Sequence, residues 1–85
     1  MRVNVKKCDI ERGVPESASL CPIARAVRRK GYERVVVGYD YFRVGRLGHG
    51  GKEFMLPITA FDFVCDFDYG KKVTPFSFDA LNFSN

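Results

Sequence analysis

The segment CPIARAVRRKG, residues 21–31, decides the fold because it predicts a helix more clearly than any other part of the chain. Ser19 and Cys21 can cap the start of this helix, and Pro22 fits its first turn, where a missing N–H costs nothing. Gly31 is the expected end of the helix. Apolar side chains recur every three or four residues and predict a buried stripe of Leu20, Ile23, Ala24 and Val27.

The opposite side of the same helix is basic. Its cations are Arg25, Arg28, Arg29 and Lys30. Three guanidiniums on one helix face can each form paired hydrogen bonds with a phosphate or a carboxylate, so we predict a binding surface here, extended by Arg43 and Arg46. A second interpretation stays open. Cations near the end of a helix also stabilise its dipole, and the cluster is then a solvated helix face without a partner.

Segments on both sides of this helix have the alternation or the β-branched content of strands. Residues 1–7 alternate, with Val3 and Val5 on one side, which predicts a half-buried strand. The apolar run at 35–37 predicts a strand that is covered on both faces and central in its sheet. Residues 41–44 predict the next strand, antiparallel to it across a tight connection.

The remaining segments complete the order of elements. Residues 9–13 predict one helical turn, 53–56 a short strand and 57–69 a second helix. Residues 73–78 predict a last extended segment at a sheet margin, and 81–85 a loose tail. The order β-α-β-β-β-α-β predicts the α+β class: a small mixed or antiparallel sheet of about four to five strands with two helices on one face.

The length and the charge set outer limits on the protein. With 85 residues the chain has room for one domain, residues 1–85, whose thin core eight Phe and four Tyr can fill. No apolar run is long enough for a membrane span, so no membrane partner is expected. Residues 1–52 have a net charge of +7 and residues 53–85 one of −3. This polarity excludes a uniformly acidic mimic of DNA and allows a basic face for phosphate or for an acidic protein.

The three cysteines, at positions 8, 21 and 65, are an odd number without metal-ligand spacing. They predict no disulfide framework, no metal site and no cofactor, and reduced thiols fit a cytosol. Cys21 stands where a helix N-terminus would stabilise a thiolate, which leaves a cysteine nucleophile as a minor hypothesis. The only histidine, His49, lies in a loop and no base accompanies Cys21, so we predict that the chain is not an enzyme.

Residues 45–52, GRLGHGGK, predict a flexible basic loop. A phosphate-binding P-loop would need glycine at Arg46 and serine or threonine at Glu53, so this motif is excluded. We predict a clamp in which Arg46, His49 and Lys52 contact an anionic ligand or a protein partner. A mobile hairpin loop without a ligand is the alternative.

Three phenylalanines near the C-terminus are a further candidate site. They are Phe76, Phe78 and Phe83. If they remain exposed, they mark a protein interface or the contact of a homodimer. The alternative is that the last strand closes the sheet and buries them.

Five short motifs, spread over most of the chain, carry a resemblance to known proteins. They are V-x-V-x-x-x-D-I-x-x-G from Val3, C-P-I-A-x-A-V-x-R from Cys21, V-V-V-G-Y-D from Val35, L-P-x-x-A-x-x-F from Leu56 and P-F-x-F from Pro75. With these motifs the chain resembles a group of small proteins of tailed bacteriophages. The resemblance implies a viral protein that acts in the cytoplasm of a bacterial host, and it carries over no catalytic residue.

Two hypotheses for the function follow. The first is a non-enzymatic phage accessory protein that binds and inhibits a bacterial host protein or ribonucleoprotein complex. Its leading target class is a defence system, which makes it an anti-CRISPR or other counter-defence inhibitor. The second is a protein that sequesters nucleic acid or a nucleotide messenger through the basic helix, with an affinity that falls steeply with salt.

Overall fold

The structure is a computed structural model that describes residues 1–45 and 51–82. The helices in these ranges are α1 (Lys7–Arg12), α2 (Pro22–Arg28) and α3 (Ile58–Asp68). None of them is long and apolar enough to cross a membrane. The strands in the same ranges are β1 (Arg2–Val5), β2 (Arg34–Val37), β3 (Tyr41–Gly45), β4 (Lys52–Met55), β5 (Phe76–Asp79) and β6 (Leu81–Asn82). The predicted α+β class is confirmed.

The strands form two antiparallel sheets, and the chain passes directly from β5 in one sheet to β6 in the other. In the smaller sheet β1 pairs with β5, and Val3 lies opposite Phe78. The larger sheet has the strand order β2-β3-β4-β6. Ala80 stands between β5 and β6, and its carbonyl accepts a hydrogen bond from the Met1 ammonium group (2.7 Å) while its N–H donates to the Met1 carbonyl (2.8 Å). The chain therefore passes from one sheet to the other at Ala80, where the start of β1 is bound.

Helix α2 joins the two sheets because it packs against both β1 and β2. Its predicted buried stripe is confirmed for Ile23, Ala24 and Val27. Leu20 differs: it precedes the helix, and half of its surface is exposed. The inward side chains of both sheets meet α2 in one core, in which Phe42 is the largest fully buried side chain of the described residues.

The prediction of a central strand at 35–37 is wrong. Strand β2 lies at one end of the larger sheet and has β3 as its neighbour. Val35 and Val37 are buried, whereas Val36 is 45% exposed. A strand with one solvated face needs apolar side chains only at alternate positions, and a valine at the outward position conceals that alternation in the sequence.

The end of the chain also differs from the prediction. The segment 81–85, expected to be a loose tail, includes β6, whose Leu81 and Asn82 pair with Met55 and Phe54 of β4. Residues 83–85 lie outside the described residues. A strand of two residues is too short to show an alternating pattern in the sequence. These residues form a strand only because β4 lies beside them.

Gly13 allows the end of α1 to lie close to the start of α2. A Cβ atom at this position would lie 2.7 Å from the Asp9 carbonyl oxygen and 2.7 Å from two side-chain carbons of Pro22. Neither neighbour moves easily, because one is helix backbone and the other a proline ring. Glycine is therefore required for this close approach and not for an unusual backbone angle, since its φ is −69°.

We expect Gly13→Ala to lower the free energy of unfolding by about 1–3 kcal/mol, because the added methyl group overpacks the contact between α1 and α2. Urea denaturation followed by circular dichroism measures this change. Gly45→Ala is the matched control: the nearest atom to its added Cβ would be 4.0 Å away, so its effect should stay within about 0.5 kcal/mol. Equal losses in the two variants would contradict the packing argument.

Candidate functional site

The candidate site is built around one buried carboxylate, that of Asp9 in α1. Asp9 is fully buried. The Arg29 guanidinium donates hydrogen bonds to both of its oxygens, to Oδ1 at 2.8 Å and to Oδ2 at 2.6 Å. The backbone N–H of Lys6 also donates to Oδ2, at 2.9 Å. The Nε of Arg25 lies 3.7 Å from Oδ1. We call these four residues the Asp9 cluster.

Local sequence explains how the cluster forms. Asp9 is the third residue of α1, so its side chain can reach back to the backbone N–H of Lys6, which precedes the helix. Arg25 and Arg29 are four residues apart and therefore lie on the same side of α2. Arg29 also donates to the Asn4 carbonyl of β1 at 3.1 Å. One guanidinium thus connects α2 with α1 and with β1.

The charges of the cluster stabilise one another. Burial by itself would raise the pKa of Asp9, but the hydrogen bonds from Arg29 and Lys6, with the charges of Arg29 and Arg25, outweigh burial and lower that pKa below its ordinary value. The hydrogen bond with Asp9 raises the pKa of the Arg29 guanidinium in turn. Asp9 therefore stays ionised and Arg29 stays charged at neutral pH.

The cluster has one positive charge in excess. Asp9 neutralises one of the two guanidiniums, and Arg29 makes the closer contacts. The Nε of Arg25 is buried and lacks a hydrogen-bond acceptor among the described residues. About a third of the Arg25 side chain is exposed. An anion that approaches Arg25 from solvent would find a guanidinium whose position α2 and Asp9 already fix.

The other predicted cations lie in two places. Arg28, the last residue of α2, donates to the carbonyl of Ser19, which precedes the helix, at 2.8 Å, and Lys30 is exposed just after α2. Arg43 is paired with Glu53 on the outward face of the larger sheet, opposite the face that packs on α2. Lys52 is exposed on β4. The structure therefore brings Arg25 and Arg29 together on Asp9, directs Arg28 to Ser19 and leaves Arg43 on the outward face of the larger sheet. Arg46 and His49 lie outside the described residues.

Two of the three C-terminal phenylalanines, Phe76 and Phe78, pack within the fold. Phe78 is buried, and Phe76 is partly buried against the core. The Phe76 ring packs on Phe63 of α3, with ring centroids 4.6 Å apart, and on Phe78 at 5.5 Å. These contacts agree with the alternative in which the last strand buries its aromatic side chains. Phe83 lies outside the described residues.

Cys21 caps α2 as predicted, but its thiol is not activated. Its Sγ accepts a hydrogen bond from the Ala24 N–H at 3.5 Å. Burial raises the pKa of the Cys21 thiol above its ordinary value, and the hydrogen bond from Ala24 does not offset this effect. The expectation of a stabilised thiolate is therefore wrong, because desolvation outweighs the helix N-terminus. The described residues contain no group of three metal-ligating side chains placed to hold a metal ion.

Asp9 is the residue that sequence reasoning missed. The sequence places Asp9 only in the predicted helical turn of residues 9–13 and gives no partner for its carboxylate. A signal for its role exists: an acidic residue at the third position of a short helix, together with two arginines spaced four apart on another helix. That pattern predicts an ion pair only when α1 and α2 are known to be in contact.

No known protein family, curated protein or solved structure matches this chain.

We expect Asp9→Asn to lower the free energy of unfolding by about 1–3 kcal/mol, because it leaves Arg29 and Arg25 without their counterion. The control is Asp79→Asn, which removes an exposed ion pair with Arg2 and should cost less than about 1 kcal/mol. Chemical denaturation at neutral pH measures both values.

The comparison of the wild type with Asp9→Asn also tests the ionisation of Asp9. The folded-state pKa of Asp9 lies below the unfolded value of 3.8, so its carboxylate stabilises the fold above that pH and the contribution is lost as the pH falls through the folded pKa. We therefore expect the stability difference between the wild type and Asp9→Asn to narrow as the pH drops below 3.8. A difference that stays constant down to acid unfolding would contradict this assignment.

Thiol labelling at neutral pH should distinguish the cysteines. Cys8 is exposed and Cys21 is buried, so we expect a water-soluble disulfide reagent to modify Cys8 rapidly and Cys21 only when the protein unfolds. Mass spectrometry of peptides after a short reaction identifies the labelled site. Preferential labelling of Cys21 would revive the hypothesis of a cysteine nucleophile.

Proposed function

We propose that this protein is a non-enzymatic bacteriophage protein that binds and inhibits a bacterial host target, with a defence complex such as a CRISPR ribonucleoprotein as the leading target class. The observation that carries the proposal is the Asp9 cluster, in which a buried carboxylate fixes Arg29 and Arg25 while one positive charge stays in excess. The resemblance to small phage proteins supports the viral origin and the host cytoplasm as its place of action.

The cluster suits recognition of an acidic surface. Arg29 is held by hydrogen bonds to Asp9 and Asn4, so it loses little side-chain entropy when a partner binds, and Arg25 beside it carries the charge that Asp9 leaves unneutralised. Arg28 at the end of the same helix and Lys30 just after it add to the attraction of an acidic partner over a distance. A host complex that binds this helix through an acidic surface could not use the same surface to bind its own partner.

The experiment has to keep Arg29, because Arg29 holds α2 to α1 and β1. We therefore choose Arg28→Glu with Lys30→Glu, which reverses two charges at the end of α2 and removes only one exposed hydrogen bond. The matched control is Lys71→Glu with Lys72→Glu, which makes the same change of charge on exposed lysines after α3.

We expect the wild type and the Lys71/Lys72 control to restore transformation by a plasmid that an active CRISPR system targets, and the Arg28/Lys30 variant to restore it at least about tenfold less, since charge reversal repels an acidic partner. Capture of the CRISPR complex by the immobilised chain, before and after nuclease treatment, identifies the partner. Capture that disappears with nuclease and falls steeply with salt supports the second hypothesis, nucleic-acid binding. Equal activity of both double variants would show that the basic helix is only a solvated face.

A further inference from the structure

Helix α3 is apolar on two opposite sides. Its inward side chains are Ala60, Phe63 and Val64. A second set follows the helical spacing i, i+3, i+7 and i+11, and we call it the outer stripe: Ile58, Phe61, Cys65 and Tyr69. At about 100° per residue these four positions fall on one side of the helix, opposite the inward set. Ile58 is 75% exposed and Tyr69 86% exposed, so no described part of the chain covers the ends of the stripe.

The outer stripe continues onto the turn between β2 and β3. The ring of Tyr39 packs on Phe61, with centroids 6.4 Å apart, and Tyr39 is 62% exposed. Tyr39 also borders a cavity of about 320 Å³. The floor of this cavity is apolar and is formed by Cys21, Val37 and Val64. An apolar stripe and a cavity therefore adjoin on one surface.

The rim of the cavity is acidic. Glu16 and Asp68 lie there, and the Glu16 backbone N–H donates to Asp68 Oδ1 at 2.9 Å, which fixes that carboxylate at the rim. Asp68 and Asp66 lie at the end of α3 where the helix dipole disfavours negative charge, and Asp62 lies one turn from Asp66 and repels it. A cationic partner would relieve each of these unfavourable interactions.

The lysines after α3 reduce this negative charge only in part. Lys71 Nζ lies 3.8 Å from Asp66 Oδ1, with both side chains largely exposed. Lys72 lies beside Asp62 and Asp66. Glu16 and Asp68 lie at the cavity on one flank of the outer stripe, and Asp62 and Asp66 lie beside Lys72 on the other flank. These four carboxylates outnumber the two lysines together with the Arg28 guanidinium, which is bound to the Ser19 carbonyl near the cavity, so the surface is negative although the whole chain is positive.

From the cavity, the stripe and the charge together we infer that this surface is a second docking site, which takes a basic amphipathic segment of another protein. The apolar side chains of the segment pack on the outer stripe of α3. A lysine or arginine enters the cavity, its aliphatic stem against the apolar floor and its charged head between Glu16, Asp68 and the ring of Tyr39.

The negative charge of this surface favours a basic segment over the other possible occupants, which are a nucleic acid, an acidic peptide and a second copy of the chain. A nucleic acid or an acidic peptide would bring like charges together. A second copy that docked through its own α3 would place Asp62 and Asp66 of the two chains against each other. A second copy that docked through its basic α2 would make a head-to-tail contact, which leaves the same two surfaces open at the ends and continues into rings or filaments rather than a single pair.

The first test uses two designed peptides as probes. One is a labelled amphipathic peptide of about 18 residues, made of Leu, Ala and Lys, long enough to form a helix on binding; the other has Glu in place of every Lys. Fluorescence anisotropy with the full chain should show that the Lys peptide binds at least about tenfold more tightly than the Glu peptide. Amide shifts in the nuclear magnetic resonance spectrum should map to α3, Tyr39 and Glu16. Equal binding of the two peptides, or shifts elsewhere, would overturn the inference.

The second test distinguishes binding at this site from attraction by the overall charge of the chain. Glu16→Gln with Asp68→Asn keeps an acceptor for the Glu16 N–H and removes two negative charges, and it should weaken binding of the Lys peptide by about tenfold. The control, Glu11→Gln with Asp79→Asn, makes the same charge change at exposed residues of α1 and β5 and should leave binding within about twofold. Equal weakening of peptide binding in the two double variants would contradict the proposed site.

Light scattering tests whether a second copy of the chain occupies the site. The inference predicts a monomer at the concentrations of the peptide titration. A dimer or larger species that Ile58→Asp returns to monomer would show that the occupant is a second copy and would overturn the choice of a foreign partner. Because Ile58 is exposed, this variant should fold as the wild type does.

Discussion

The ion pair between Arg29 and Asp9 is the contact on which the rest of the structure depends. A fully buried carboxylate is costly unless it is paired and hydrogen-bonded, and Arg29 supplies both requirements through two short hydrogen bonds. The same guanidinium donates to the Asn4 carbonyl. Helix α2 is thereby held to α1 and to β1, while its apolar side packs on β2 and joins the two sheets.

Two surfaces of opposite charge follow from this arrangement. The Asp9 cluster lies toward the C-terminal end of α2, where Arg25 is only partly neutralised. The N-terminal end of the same helix begins at Cys21, which forms part of the floor of the acidic cavity beside α3. Helix α2 thus contributes to both surfaces, one toward each of its ends. We propose an acidic partner for the first surface and a basic partner for the second.

Much of the fold was predictable because its signals are local. The cap, the proline and the apolar spacing of α2 lie within eleven residues, and the alternation of Val3 and Val5 lies within five. The predictions failed where a signal depended on neighbours. Val36 is apolar yet outward because β2 is a terminal strand, and Leu81 belongs to a strand only because β4 lies beside it. For the site, the sequence predicted the arginines of α2 but not their shared carboxylate.

The α+β class, the positions of α2 and α3, the uneven charge and the cysteine cap of α2 follow from the amino-acid sequence without the fold. These properties depend on residues close together in the chain, whose spacing and backbone preferences act over one or two helical turns. Only the tertiary structure decided which charges are free to bind. Burial fixes Arg29 on Asp9, raises the pKa of Cys21 and leaves the outer stripe of α3 uncovered. Desolvation and ion pairing depend on what surrounds a group in space, and here those surroundings come from distant parts of the chain.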